Sequence, residues 1–236
     1  MAWIMGKFLT KLYTVAFAFS IPVAAAMAID RHFTSAIADK YSAPWIGEDF
    51  SAVPCKGRPQ GYGPYDYRRR STLYRELRQV EGAHFPPRVE ALIRGKTGIN
   101  PYSDIAYTLR AWPNHHRALN SISRYYFKFK NSNKRMNVPP ECFFQRAINF
   151  APDDDTTYML YAIYLQKRGK YKQSEENYLN AIKLSPDDPQ TNYNYGLLLF
   201  KLEKYKEARD AAIKAYDQSY PFPGLKNKLK NAGYWP

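Results

Sequence analysis

The sequence predicts an all-α protein, and two patterns lead to this prediction. In the C-terminal half, a phrase of helix-forming residues recurs after 34 residues. Between residues 73 and 129, apolar side chains recur at steps of three and four, as on one face of a helix. The preceding stretch differs, because prolines and glycines interrupt it too often for a long helix or strand. We therefore expect an irregular, partly helical N-terminal region followed by a helical repeat array.

The composition is that of a globular protein with an excess of positive charge. Of the 236 residues, 45% are hydrophobic and 24% are charged, which argues against a disordered polypeptide. A mean hydropathy of -0.58 excludes a polytopic membrane protein. Lysine and arginine outnumber the acids by 35 to 21, a formal charge of +14. This charge favours an anionic partner, such as nucleic acid, anionic lipid, polysaccharide or an acidic protein.

Residues 1–38 have the form of a secretory signal peptide or an N-terminal membrane anchor. Two lysines precede an uncharged apolar run, residues 12–29, and small residues suited to cleavage lie near its end at 26–28 and after it at 36–38. Because the run is long enough to span a bilayer, an uncleaved anchor in the inner membrane stays open. The remaining alternative is a buried N-terminal helix of a cytosolic protein. We expect an exported, periplasmic protein.

The sequence has two cysteines, Cys55 and Cys142. In an exported protein they can pair and close a loop of 87 residues. The chain-entropy model values such a cross-link at about 4–5 kcal/mol as an upper figure. The alternative is two unpaired, buried thiols. Export favours the disulfide, which would tie the N-terminal region to the repeats.

The N-terminal region, residues 39–112, combines a proline- and glycine-rich stretch with short helices. Prolines and glycines are dense up to residue 72. After it, the spacing of apolar residues predicts helices over 73–81, 87–94 (ended by Gly95), 102–112 and, leading into the repeats, 114–129.

From residue 113 onward the sequence is organised in repeats. The phrase FQRAINFAPDD at Phe144 recurs as YLNAIKLSPDD at Tyr178, and a degraded copy begins at Ala212. The helices before the phrase recur with the same spacing, in Tyr161-Ala162 and Tyr195-Gly196. A helix–turn–helix unit of this length resembles the tetratricopeptide repeat.

The resemblance implies a short solenoid over residues 113–236. Two full repeats cover about 155–188 and 189–221, one irregular repeat precedes them, and a polar capping helix follows at 225–232. In this family, small side chains allow the two helices of a repeat to cross closely. The corresponding small residues here are Ala147, Ala162, Ser174, Ala181, Gly196, Ala208 and Ala215.

The resemblance also implies a binding surface, because the first helices of such repeats line an inner, concave face. The residues carried over to this face are Met159, Ile163, Gln166, Lys167, Gln190, Tyr193, Leu197, Phe200 and Lys201. Apolar groups flanked by lysine suit an extended or helical peptide segment of a protein partner. The family's clamp for the C-terminal carboxylate of a partner is not expected, because its lysine and asparagine positions hold apolar or aromatic residues here. Alternatively, the N-terminal region covers this face itself.

Patterns that would indicate catalysis or metal binding are weak. The sequence contains no GxSxG, GxxxxGK[ST], HExxH or CxxC, so we expect no enzyme activity, no cofactor and no metal. A metal-binding or hydrolytic site formed by His84, Asp104 and His116 is kept as an alternative. The simpler interpretation has His84 and His116 hydrogen-bonded in the N-terminal region, with His115 exposed.

A basic triplet, Arg68, Arg69 and Arg70, follows a stretch rich in glycine and tyrosine. Three fork-shaped donors could bind a phosphate, a glycan or an acidic partner. The simpler alternative is a turn and a helix start with solvated arginines. An anionic membrane or polysaccharide surface is therefore a second class of partner, whereas export argues against nucleic acid.

Together these features predict an exported adaptor or scaffold in the assembly of a cell-envelope complex, such as a pilus, secretion or polysaccharide machinery. The step from repeat to envelope rests on analogy with exported repeat proteins. A structural subunit of a larger envelope complex is the alternative.

The mature N-terminus tests the leader prediction. Cleavage predicts a protein that begins at Ile29 or Asp39, whereas an anchor predicts one that begins at Met1 or Ala2. Mass spectrometry of the protein purified from the envelope fraction distinguishes these forms. Recovery of the full-length protein from the cytosolic fraction would contradict export.

Overall fold

The computed structural model describes residues 42–129 and 136–235. The predicted leader, residues 1–38, lies outside the described residues. Among those that are described, no helix combines the length and the apolar character needed to cross a bilayer. The described residues belong to one compact unit.

The all-α prediction is confirmed, since the described residues hold helices and no β-strand. A short 3-10 helix, Tyr67–Arg69, precedes the α-helices. These are α1 (Tyr74–His84), α2 (Pro87–Glu90), α3 (Tyr102–Ala111), α4 (His116–Lys128), α5 (Pro140–Phe150), α6 (Asp155–Lys167), α7 (Tyr171–Leu184), α8 (Pro189–Lys201), α9 (Tyr205–Asp217) and α10 (Gly224–Asn231).

Helix α2 is shorter than the predicted helix over residues 87–94. It ends at Glu90 rather than before Gly95, because Leu92 adopts a left-handed conformation with φ of 58°. Its side chain is buried in the core, and this burial offsets the strain of a positive φ at a residue other than glycine.

The irregular N-terminal segment lies on α5. The structure pairs Cys55 with Cys142 in a disulfide, with 5.5 Å between the two Cα atoms. The Gln145 amide nitrogen donates a hydrogen bond to the Glu48 carbonyl over 2.8 Å. The predicted pairing of the two cysteines is therefore confirmed, and it holds a segment with no regular secondary structure against a helix.

The repeats pack as their 34-residue period predicts. Helix α6 packs on α7, α8 packs on α9, and α7 contacts α8. The Tyr161 ring stacks on Phe144 at 4.9 Å between centroids, and one repeat later Tyr195 contacts Tyr178 at 5.7 Å. The alanines at the equivalent position of α5, α7 and α9, the second helices of successive repeats, are fully buried: Ala147, Ala181 and Ala215.

Helix α10 closes the array. Leu225 and Leu229 are fully buried against α8 and α9, whereas the lysines of this helix lie toward solvent. One face is therefore apolar and the other cationic, as a cap between core and water requires.

The N-terminal region and the first repeat share one core. Buried side chains of α3, α4 and α5 form a single cluster with Tyr161, Tyr164 and Leu165 of α6. The two halves of the protein therefore fold against each other, and apolar surface of α6 that a free repeat would expose is buried.

Gly196 tests the close packing of the last repeat. A Cβ atom at this position would lie 2.5 Å from Leu225 Cδ2 and 3.3 Å from the Ala208 carbonyl oxygen. We expect Gly196→Leu to lower the free energy of unfolding by about 1–3 kcal/mol, because the added side chain has no room between α9 and α10. Thermal unfolding followed by circular dichroism measures this change.

Gly82→Ala on α1 is the matched control. Apart from its own helix backbone and its two chain neighbours, no atom of the described residues lies within 4 Å of a Cβ built at Gly82, so alanine should stabilise its helix by up to about 1 kcal/mol. Equal melting temperatures for Gly196→Leu and the parent protein would contradict the close helix crossing.

Candidate functional site

A groove crosses the inner face of the two full repeats. Its volume is about 700 Å³, and it holds six of the nine residues predicted for the concave face. These six are Ile163, Gln166, Lys167, Leu197, Phe200 and Lys201.

The period of the sequence explains why these residues meet. Ile163 and Leu197, Gln166 and Phe200, and Lys167 and Lys201 are each 34 residues apart. Each pair therefore occupies the same place on α6 and α8, the first helices of successive repeats. Because stacked repeats present equivalent faces side by side, a periodic sequence becomes a continuous surface.

The groove carries more positive than negative charge. Lys167, Lys201 and Lys228 line it together with one acid, Glu203. The Lys228 ammonium lies 5.7 Å from the centre of the Phe200 ring. None of the three lysines forms an ion pair among the residues that the structure describes. Such a surface favours a partner segment with apolar side chains and carboxylates.

Three residues predicted for this surface lie elsewhere. Met159 is 4% exposed and packs in the core between α6, α7 and α8, because it lies one helical turn before Ala162 on the face that contacts the next helices. Tyr193 contacts Tyr220, at 4.6 Å between ring centres. Gln190 is exposed outside the groove. These three residues are not among those that line the groove, and their part in binding stays a prediction.

Sequence reasoning missed the part of the groove that lies outside the first helices. Tyr171 and Tyr205 begin the second helices, and Lys228 comes from the cap. The two tyrosines are again 34 residues apart, so the repeat alignment contained the signal for them. No repeat in the sequence marked Lys228 as a groove residue, because its position depends on how α10 packs against the array.

The described N-terminal region does not cover the groove. Its lining comes from α6 to α10 and the turns between them, and not from residues 42–112. Within the described residues, the alternative of self-covering by this region is therefore wrong.

A buried polar network joins the N-terminal region to the start of α6. The Asn114 amide nitrogen donates to Asp66 and to Asp154, over 2.7 Å in each case. The Asn114 amide oxygen accepts from the backbone N–H of Tyr67. The His116 Nε2 lies 2.9 Å from an Asp154 carboxylate oxygen. Because Asn114 and Asp154 are fully buried, each of these bonds replaces lost hydration.

The three residues of the predicted metal or hydrolytic alternative do not form one cluster. The His84 Nδ1 lies 3.0 Å from Asp104, whereas His116 contacts Asp154. Among the described residues, no group of three or more histidines, cysteines or acids could hold a metal ion.

His115 is buried, which corrects the expectation that it is exposed. Its Nδ1 accepts the backbone N–H of Ala118 and caps α4, so the Nε2 carries the proton and donates to Glu81 over 3.0 Å. Burial, only partly opposed by the hydrogen bond to Glu81, lowers the pKa of His115. The ring therefore stays neutral and acts as a structural cap.

All three arginines of the basic triplet are exposed, and among the described residues only Arg68 forms ion pairs. Arg68 forms ion pairs with Asp66 at 2.6 Å and with Asp153 at 2.9 Å, and these bonds raise its pKa. The Arg70 guanidinium lies over the Tyr67 ring, and Arg69 is exposed. Tyr67–Arg69 form a short 3-10 helix, and binding of an anion by the triplet stays a prediction.

Comparison with known proteins identifies part of the repeat array. A family model described as "Tetratricopeptide repeat" matches residues 161–222. These residues are tetratricopeptide repeats. No curated protein matches the sequence. Among solved structures, the protein is similar to one titled "Crystal structure of MamA", with 17% identity, a TM-score of 0.40, and coverage of 64% of this chain and 92% of that one.

The tetratricopeptide match extends from the second half of α6 past the end of α9, so it includes most of the groove lining. Tetratricopeptide repeats are protein–protein interaction scaffolds and are typically not enzymes. The groove therefore lies on a surface of a type that binds other proteins.

Asp154 and Asp188 occupy equivalent positions before the two tetratricopeptide repeats. Each carboxylate caps its helix by accepting a backbone N–H, from Thr157 and Thr191 respectively. Burial raises the pKa of Asp154, but the hydrogen bonds from His116, Asn114 and Thr157 outweigh it, so the pKa is lowered. A carboxyl with a lowered folded-state pKa stabilises the fold above its unfolded-state pKa, and this contribution is lost as the pH falls through the folded value.

We expect Asp154→Ala to cost about 2–4 kcal/mol of stability near neutral pH, because it removes the cap and leaves buried donors without an acceptor. Asp188→Ala is the matched control and should cost about 1 kcal/mol, the value of a cap alone. Urea unfolding as a function of pH measures both. The cost of Asp154→Ala should shrink below about pH 4, near the unfolded-state pKa. Equal costs for the two variants would contradict the network.

Proposed function

We propose that the protein is an exported scaffold that binds a segment of a partner protein in the groove, during assembly of a cell-envelope complex. The observation that carries the proposal is the groove itself, with apolar residues of two successive repeats at its floor and lysines beside them.

The chemistry of the groove defines the segment that it would bind. Ile163, Leu197 and Phe200 offer apolar surface, and Lys167 and Lys201 lie next to it. An amphipathic helix fits this arrangement if its apolar side faces the floor and its acidic residues reach the lysines. The volume of about 700 Å³ suits several side chains rather than one.

Export is supported by the disulfide and by the leader. Disulfides persist in oxidising compartments and are rare in the cytosol, and the Cys55–Cys142 bond joins the two halves of the protein. The basic start and apolar run of residues 1–38 agree with this compartment. The net charge of +14 also favours contact with anionic envelope surfaces, whether membrane or polysaccharide.

The alternatives have less support. A site made of His84, Asp104 and His116 would need these residues to converge, and they pair separately. A structural subunit without a groove ligand is compatible with the fold, but it leaves the half-buried apolar lining of the groove unexplained.

Site-specific photocrosslinking tests the groove. A photoreactive phenylalanine replaces Lys201 at the end of α8, and in the control it replaces Lys214 in the last turn of α9. Both lysines are exposed, but only Lys201 lines the groove. After irradiation of cells, we expect a discrete adduct with one envelope protein from position 201 and none from position 214.

Charge reversal refines this test. Lys201→Glu should weaken co-purification of the crosslinked partner by at least about threefold, which is a small effect for a charge at an interface. Lys214→Glu should not change co-purification. Equal adducts from both positions would favour a buried structural subunit. An internal crosslink to residues 1–38 would show that the protein fills its own groove.

A further inference from the structure

A second cavity, of about 460 Å³, lies in the N-terminal half of the compact unit. It is bounded by residues 56–58, by α3, and by the segment that leads into α5. It shares no lining residue with the groove of the repeats. Its volume is within the range of roughly 300–1,000 Å³ that is typical of small-molecule sites.

The apolar wall of this cavity is held in place by specific bonds. The Tyr102 hydroxyl accepts the backbone N–H of Val138 over 2.8 Å and lies 3.1 Å from its carbonyl oxygen. The Trp45 indole N–H donates to the Arg58 carbonyl, and its ring lies so close to Gly57 that a Cβ there would be 2.2 Å away. The wall is therefore formed before any ligand enters, which lowers the entropic cost of binding.

Cations line the cavity, and no acid does. Lys56, Arg58 and Arg110 contribute to its surface, and no aspartate or glutamate is among the described lining residues. None of the three cations forms an ion pair within the described part of the protein. Asp104, on the same helix as Arg110, accepts instead from the Lys96 backbone N–H and contacts His84.

A fourth cation lies behind the wall. Arg146 is 1% exposed and donates to the carbonyl oxygens of Ala43 and Leu109, not to a carboxylate. Its guanidinium lies 5.0 Å from the centre of the Trp45 ring. A buried guanidinium satisfied only by neutral acceptors leaves its positive charge uncompensated.

The pKa values agree with an excess of positive charge. Burial and the charge of Arg110 lower the pKa of Arg146 to about 10. Burial and the charge of Arg58 lower the pKa of Arg110. Each positive charge therefore disfavours the charged form of its neighbour, and an anion placed among them would relieve this repulsion.

We propose that this cavity binds a small amphipathic anion. Its carboxylate or phosphate head would contact Arg58 and Arg110, with Lys56 nearby, and its apolar body would lie against Tyr102, Val138 and Phe143. Arginine suits this head group, because its planar fork can donate two parallel hydrogen bonds to one carboxylate or phosphate. This site is independent of the protein-binding groove and of any partner bound there.

Isothermal titration calorimetry on the purified, disulfide-bonded protein tests the proposal with three probes that each contain eight carbon atoms: octanoate, octyl phosphate and the neutral octanamide. We expect the two anions to bind with one site per protein molecule, and the amide to bind at least about tenfold more weakly, because charge-assisted hydrogen bonds are lost. Tighter binding of octyl phosphate would identify a phosphorylated ligand. Tighter binding of octanoate would identify a carboxylic acid.

Two charge-matched variants locate the site. Arg110→Gln should weaken octanoate binding at least about tenfold, whereas Arg88→Gln, an exposed arginine of α2 outside the cavity, should change it less than twofold. Arg58→Gln, at an exposed residue of an irregular segment, provides the same test if Arg110→Gln unfolds the protein.

Three results would overturn the proposal: no binding of either anion at millimolar concentration, equal binding of the neutral amide, or equal losses in Arg88→Gln and Arg110→Gln. The readout does not depend on the groove, since Lys201→Glu should leave octanoate affinity unchanged. Failure of this proposal is therefore distinguishable from failure of the proposed scaffold function.

Discussion

The close crossing of helices at small side chains is the constraint on which the repeat array depends. Ala162 and Gly196 leave room for the second helix of each repeat. At the Ala162 crossing, the Ser174 hydroxyl donates a hydrogen bond to the Ala162 carbonyl. Since α6 and α8 are the first helices of successive repeats, they present equivalent residues to the same side. The groove is a consequence of this repetition and needs no further structural element to form its floor.

Helix α5 connects the array to the rest of the protein. It carries Cys142, which forms the disulfide, and Arg146, which binds carbonyls of the N-terminal segment and of α3. Its Phe144 packs on Tyr161 of the first full repeat. A segment without regular secondary structure is thereby fixed by one covalent bond and several buried polar bonds. This arrangement allows two short repeats to be stable, because their exposed end is covered.

The positive charge of the protein has two different structural roles. Some cations are neutralised internally, as Arg68 is by Asp66 and Asp153. Other cations line a cavity and have no carboxylate partner among the described residues. Lys167 and Lys201 line the groove, and Arg58 and Arg110 line the second cavity. Composition alone could not separate these groups, because both contribute equally to the net charge. Their separation gives the protein two distinct surfaces suited to anionic partners of different size.

The 34-residue period determined the order of the repeat helices, because a regular repeat encodes its own neighbours. The resemblance to the tetratricopeptide repeat that rests on this period implied the small residues at the crossings and six residues of the groove. The apolar spacing determined where the other helices lie, apart from the early end of α2. Only the tertiary structure decided that Met159 is buried, that His115 caps a helix, and that Lys228 reaches the groove. The physical reason is the same in each case: these outcomes depend on contacts between segments far apart in the sequence, which no local pattern encodes.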